Sequence, residues 1–149
     1  MGEAEIAEAL AQRDPLTGLT NRTGWDLLVA EAQERVDAHG DPVAVAIIHL
    51  DQLTSAAMGP NTGDEITRRA ANALKAVSGS SDRLARYGDT KLGVMSNDVP
   101  VADLPGHFGI FFDAMAAHGV SASMGFAATG AEAVSVIDAI AKAEQNRLP

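Results

Sequence analysis

Cysteine is absent from all 149 residues, which excludes disulfides, thiolate metal sites and cysteine nucleophiles. Lysine is almost as scarce: Lys75, Lys91 and Lys142 are the only ones, and the arginines are scattered along the chain. With 20 Asp and Glu against 11 Lys and Arg, the formal charge is -9. That balance excludes a surface built to neutralise phosphates, and with it a nucleic-acid partner. Long apolar runs are also missing. None approaches the roughly 20 residues that span a bilayer, so direct membrane insertion is not expected. Residues 1–13 lack the apolar h-region of a signal peptide. Together these absences fit a cytoplasmic protein.

What is present suits one folded domain. Apolar residues make up 46% of the chain, enough for a core at this length, and the 21% charged content is ordinary for a globular protein. Residues 3–12 carry Ile6 and Leu10 at helical spacing, and Asp14-Pro15 ends that pattern. Asn21 or Thr23 then caps a helix whose apolar stripe is Trp25, Leu28, Ala32 and Val36. Residues 43–50 form a nearly continuous β-branched and apolar run, the pattern of a strand buried on both faces. Past a loop at Gly59-Pro60-Asn61, the spacing predicts a helix over 63–77 with Ile66, Ala70, Leu74 and Val77 inward.

A hairpin follows, with strands over 84–87 and 92–95 around a Gly88-Asp89 turn. Residues 97–105 read as loop, and Phe108, Phe111, Phe112 and Met115 mark the next helix. A strand over 120–127 and a helix over 131–146, with Val134, Ile137 and Ala141 inward, complete the chain. This order implies an α+β fold, with helices flanking a central mixed, mostly antiparallel sheet.

Asp14-Pro15-Leu16-Thr17-Gly18-Leu19-Thr20-Asn21-Arg22 resembles the D-x-L-T-G-L-x-N-R turn of the GGDEF family of diguanylate cyclases. In that turn Pro15 sets an extended backbone, Gly18 permits a tight one, and Asp14, Asn21 and Arg22 can tie the loop together. The resemblance covers about residues 13–147 and implies the palm-like fold shared with nucleotidyl cyclases. Residues 1–13 are expected to be a signalling-helix stub or cap, and 14–149 a single degenerate GGDEF domain.

The likeness weakens where the family's chemistry resides. At the end of the first strand the family carries a metal-binding acid, a lysine that meets the triphosphate and an asparagine that reads guanine. By position those places hold His49, Thr54 and Ala57. Asp51 survives on the same strand face as His49, and the pair is a weak candidate for Mg²⁺, which demands oxygen ligands. Asp64 matches a guanine-contacting aspartate, although an acid at a helix start is equally well explained as a cap or dipole partner.

At the hairpin Arg86-Tyr87-Gly88 matches the family's lead-in. Gly88-Asp89-Thr90-Lys91-Leu92 then overlies Gly-Gly-Asp-Glu-Phe, with Thr90 and Lys91 where the acids belong. The product-binding inhibitory motif R-x-x-D keeps Asp82 but has Gly79 in place of its arginine. Lys142 is the remaining candidate phosphate contact, beside its plainer reading as a solvated helix lysine.

These substitutions imply that no catalytic residue remains and that no cofactor is certain, Mg²⁺ being needed only if nucleotide binding persists. The expected function is a catalytically inactive regulatory or interaction module of cyclic-dinucleotide signalling, with a protein partner or a second copy. Two alternatives stand beside it. One is a receptor domain binding GTP or cyclic di-GMP, and the other an altered nucleotidyl transferase using Asp51 and Asp89.

Overall fold

The computed structural model describes residues 12–51, 62–130 and 133–146. The first helix, α1 (Arg22–His39), leads into β1 (Val43–Leu50), and α2 (Thr62–Val77) follows. The hairpin strands are β2 (Asp82–Gly88) and β3 (Lys91–Asn97). A 3₁₀ turn (Val101–Asp103) precedes α3 (Leu104–Ala117), then come β4 (Ala122–Ala128) and α4 (Val136–Gln145). The expected opening helix and the Gly59-Pro60-Asn61 loop lie outside the described residues.

The strands form one sheet in the order β2-β3-β1-β4, antiparallel at each pairing. The parallel contacts are isolated bridges, Thr20 to Ala85 and Thr129 to Ala133. Central β1 explains its own sequence. Ala44, Ala46 and Ile48 enter the core beneath α2 and α3, while Val43, Val45 and Ile47 enter the core beneath α1 and α4. With helices on both faces, nearly every position must be apolar. The α+β architecture is as the sequence implied.

Local chemistry sets the helix ends. Asn21 caps α1 by accepting the Gly24 N–H at 2.9 Å, and Gly40 closes it at φ 70°. Pro105, expected in loop, lies in the first turn of α3, where its missing N–H removes no helical bond. Val77 is the last residue of α2 and is exposed, because a terminal position has fewer neighbours to cover it.

The largest difference is in α4. Ser135 caps the helix by accepting the Asp138 N–H, and Val136, Ala139 and Ala143 face inward. Val134, Ile137 and Ala141, expected inward, are exposed. Apolar residues at helical spacing occur on both sides of this helix, so periodicity alone could not choose between them.

Candidate functional site

Polar groups converge where the C-terminal end of β1 meets the tip of the β2–β3 hairpin. The turn over 14–20 supports the hairpin, pairing its Thr20 backbone with Leu84 and Arg86 of β2. Asp14 Oδ2 accepts from the Thr17 backbone N–H at 2.9 Å and from Thr17 Oγ1 at 2.7 Å. Arg13 donates to the Gly18 carbonyl, and Lys75 Nζ donates to that of Thr17. Gly18 adopts φ 74°, the left-handed conformation this tight turn requires.

Arg86 joins turn to hairpin. Its Nη1 donates to Asp14 Oδ1 at 3.1 Å and its Nη2 to the Asp89 carbonyl at 3.1 Å. Burial acts to raise the Asp14 pKa, but the Thr17 hydrogen bonds and the Arg86 guanidinium outweigh it and hold the carboxyl below its ordinary value.

Gly88 ends β2 and pairs with Lys91, so the hairpin tip is Asp89-Thr90, one residue later than expected. An irregularity between Arg86 and Gly88 at Tyr87 supplies the local bend. Gly88 therefore needs no left-handed backbone, and a Cβ on it would meet the Lys91 stem at ordinary contact distance. The tip is tied to the strand end because the Leu50 N–H donates to the Thr90 carbonyl at 2.8 Å.

In register, His49 of β1 stands opposite Lys91 of β3 on one side and Ser123 of β4 on the other. The His49 Nε2 lies 2.8 Å from Glu144 Oε2 of α4. Asp51 is secured twice: its N–H donates to the Ser121 carbonyl, and its Oδ2 accepts from Ser121 Oγ at 2.6 Å. Both candidate metal groups thus have internal partners, in α4 and in the segment before β4.

The other described candidates lie on other elements. Asp64 is exposed in the first turn of α2, where an acid is favoured by the dipole. Lys142 lies 3.7 Å from Asp138, an i,i+4 pair along α4. Thr54 and Ala57 fall outside the described residues. Asp82 begins β2 and is separated from the hairpin tip by the whole strand.

The Asp82 carboxylate is 5% exposed and serves three donors: the Gly79 N–H at 2.7 Å, Ser96 Oγ at 2.6 Å and His107 Nε2 at 3.0 Å. Because the Ser96 proton goes to Asp82, the 3.0 Å contact between Ser96 Oγ and His107 also needs the Nε2–H. A cleft of about 700 Å³ opens beside this hub, lined in part by Asp98, Asp103 and His107.

Sequence reasoning did not anticipate Glu144, Ser121, Ser96 or His107 as partners at these positions. Glu144 is 95 residues from His49 and Ser121 is 70 from Asp51, so no local pattern signals either pair.

Comparison with known proteins gives the family. The family model described as "Diguanylate cyclase, GGDEF domain" matches residues 11–147. The cyclic di-GMP phosphodiesterase NbdA of Pseudomonas aeruginosa is 27% identical over 90 residues, 59% of this chain and 12% of that protein. The response regulator PleD of Caulobacter vibrioides is 32% identical over 96 residues, 63% of this chain and 21% of PleD. The chain therefore spans a minor part of the length of these two relatives. In structure it is similar to the GGDEF domain of DgcB from Caulobacter crescentus, solved in complex with c-di-GMP. That likeness has a TM-score of 0.81 at 20% identity and covers 91% of this chain and 84% of DgcB's. With the fold, the 14–22 turn and a family match over nearly its full length, the chain belongs to the GGDEF domain family.

Proposed function

We propose that this is a GGDEF domain that keeps the scaffold without the cyclase reaction and acts as a regulatory or interaction module of cyclic-dinucleotide signalling in the cytoplasm. The observation that carries the proposal is His49. It stands opposite Lys91 and is hydrogen-bonded to Glu144, at the strand end where the family resemblance calls for metal-binding acids.

Mg²⁺ takes oxygen ligands in near-octahedral geometry. Among the described residues the donors at this strand end are the His49 imidazole and the Glu144 carboxylate, engaged with each other, and the Asp51 carboxylate bonded to Ser121, with a lysine at the facing position. That set does not suit Mg²⁺. Phosphoryl transfer relies on positioning and on charge stabilisation by metal, and losing even one positioned group costs several kcal/mol of barrier. Among the described residues no helix is long and apolar enough to cross a membrane.

Incubation of the purified chain with GTP and Mg²⁺ is expected to yield no cyclic di-GMP above a protein-free control. Product formation at a rate that scales with protein concentration overturns the proposal.

A second reading is nucleotide binding without turnover. Asp64 supports it, because it remains exposed in the first turn of α2 and, among the described residues, is not consumed by an internal bond in the manner of Asp82. Titration calorimetry with GTP and with cyclic di-GMP is then expected to show heat that an Asp64→Ala chain loses. Absence of heat with both ligands rejects this reading. The altered-transferase alternative has less support, since Asp51 is bonded to Ser121 and the Asp89 carbonyl is held by Arg86 at the hairpin tip.

A further inference from the structure

Helix α4 buries one side through Val136, Ala139 and Ala143 and carries a second apolar patch on the other. Val134, just before the helix, is 88% exposed, Ile137 is 70% exposed, and Ala141 is exposed one turn beyond it. Leu27, on the neighbouring α1 in the same helical layer, is 45% exposed. Scattered apolar residues on a surface need no explanation, but large ones clustered at one helix are a patch. Beside it runs the Asp138–Lys142 pair, acid towards the helix start and base towards its end.

We infer that this face is a homotypic interface, in which two copies of the chain pack α4 against α4, antiparallel about a two-fold axis. Two features of the residue pattern select a second copy over an unrelated protein. The two-fold reverses the helix direction, so Asp138 of each copy comes alongside Lys142 of the other. The same operation sets the bulky Ile137 of one copy against the small Ala141 of the other, so that side chains interdigitate instead of colliding.

The pattern is therefore self-complementary in both charge and size. The patch is small beside the roughly 1,200–2,000 Å² buried in stable interfaces, so the expected affinity is weak, on the order of 100 μM. The inference depends on the α4 surface and not on whether the domain turns over GTP. Its test reads association and folding and not turnover, so the two can fail separately.

Sedimentation of the full chain from about 10 μM to about 1 mM, a range that brackets this affinity, is expected to show mean mass rising from monomer towards dimer. An Ile137→Asp chain is expected to stay monomeric throughout with its melting temperature preserved, because the side chain it replaces is exposed. Lys142→Glu and Asp138→Lys each remove the charge match and are expected to weaken association about tenfold. Mixing those two variants restores it, since each supplies the sign the other lost. Asp138 also accepts the Val134 N–H, so Lys142→Glu alone tests the charge match if Asp138→Lys does not fold. Three results overturn the inference: a wild-type chain monomeric at the highest concentration, an Ile137→Asp chain that dimerises undiminished, or Lys142→Glu associating as tightly as wild type.

Discussion

Replacing Trp25 by alanine is expected to lower the unfolding free energy by about 3–5 kcal/mol, the usual cost of emptying a buried indole site. Trp25 is 1% exposed and forms the contact between α1 and the hairpin. Its ring lies over Gly93 of β3 so closely that a Cβ there would come within 3.0 Å of two ring carbons. It also meets Tyr87 edge-on, with centroids 5.9 Å apart and planes at 78°, a favourable aromatic geometry. Tyr87 in turn lies under the Arg22 guanidinium, 4.1 Å from its centroid, so α1 holds the hairpin through one edge-on ring contact and one cation–π contact.

The converse substitution, Gly93→Ala, is expected to cost about 1–3 kcal/mol, because the rigid ring must shift to admit one methyl group. Combining it with Trp25→Phe should cost less than the sum of the separate changes, since the smaller ring makes room for the added methyl group. Urea unfolding of wild type, Gly93→Ala, Trp25→Phe and the double variant measures both single costs and their coupling, and Trp25→Ala is measured in the same way. Strict additivity would mean that the ring and the glycine are not in the contact described.

The parts of this fold legible in the sequence were those decided by local chemistry. Asn21 caps α1, and the apolar run over 43–50 is buried on both faces as its composition required. Leu92 and Val94 enter one core while Met95 enters the other, as the alternation of a strand demands. The α4 register was not legible because two apolar faces compete on that helix and only the sheet beneath decides between them. Val136 is held by Gln33 of α1, whose Oε1 accepts its N–H at 2.8 Å, a contact across 103 residues.

The candidate site divides in the same way. The departures at His49, Thr90 and Lys91 can be read directly from the chain. The groups that engage His49 and Asp51 come from α4 and from the segment before β4, and only the folded topology brings them there. Asp82 shows the difference in a single residue. It keeps its place in the motif, yet Ser96 and His107 reach it from β3 and α3 and turn its carboxylate into an internal hub.

Removal of the Asp14–Arg86 pair by Asp14→Ala is expected to cost about 2–4 kcal/mol, below the full penalty for breaking a completely buried pair because both side chains keep some solvent contact. The exposures are 12% for Asp14 and 20% for Arg86. Losing Asp14 deprives Arg86 of its Nη1 acceptor when its Nε is already buried without a partner among the described residues. It also releases Thr17, whose N–H and hydroxyl both donate to the same carboxylate.

Arg86→Lys is not expected to rescue the pair, because a single ammonium cannot reach Asp14 and the Asp89 carbonyl in the way the guanidinium fork does. The pH dependence has a definite sign. The folded Asp14 carboxyl sits below its ordinary value of 3.8, so its contribution is fully present above pH 3.8 and is lost as pH falls through the folded value. Unfolding free energies measured across the acid range should therefore fall less steeply for Asp14→Asn than for wild type, with the gap between the two chains narrowing towards low pH. A gap that stays constant across that range would show that the carboxylate charge does not carry the stabilisation. A double-mutant cycle on Asp14 and Arg86 supplies the independent check. Coupling of at least about 1 kcal/mol is expected for residues that share a part-buried ion pair, and a coupling near zero would remove Arg86 as the link between the 14–20 turn and the hairpin tip.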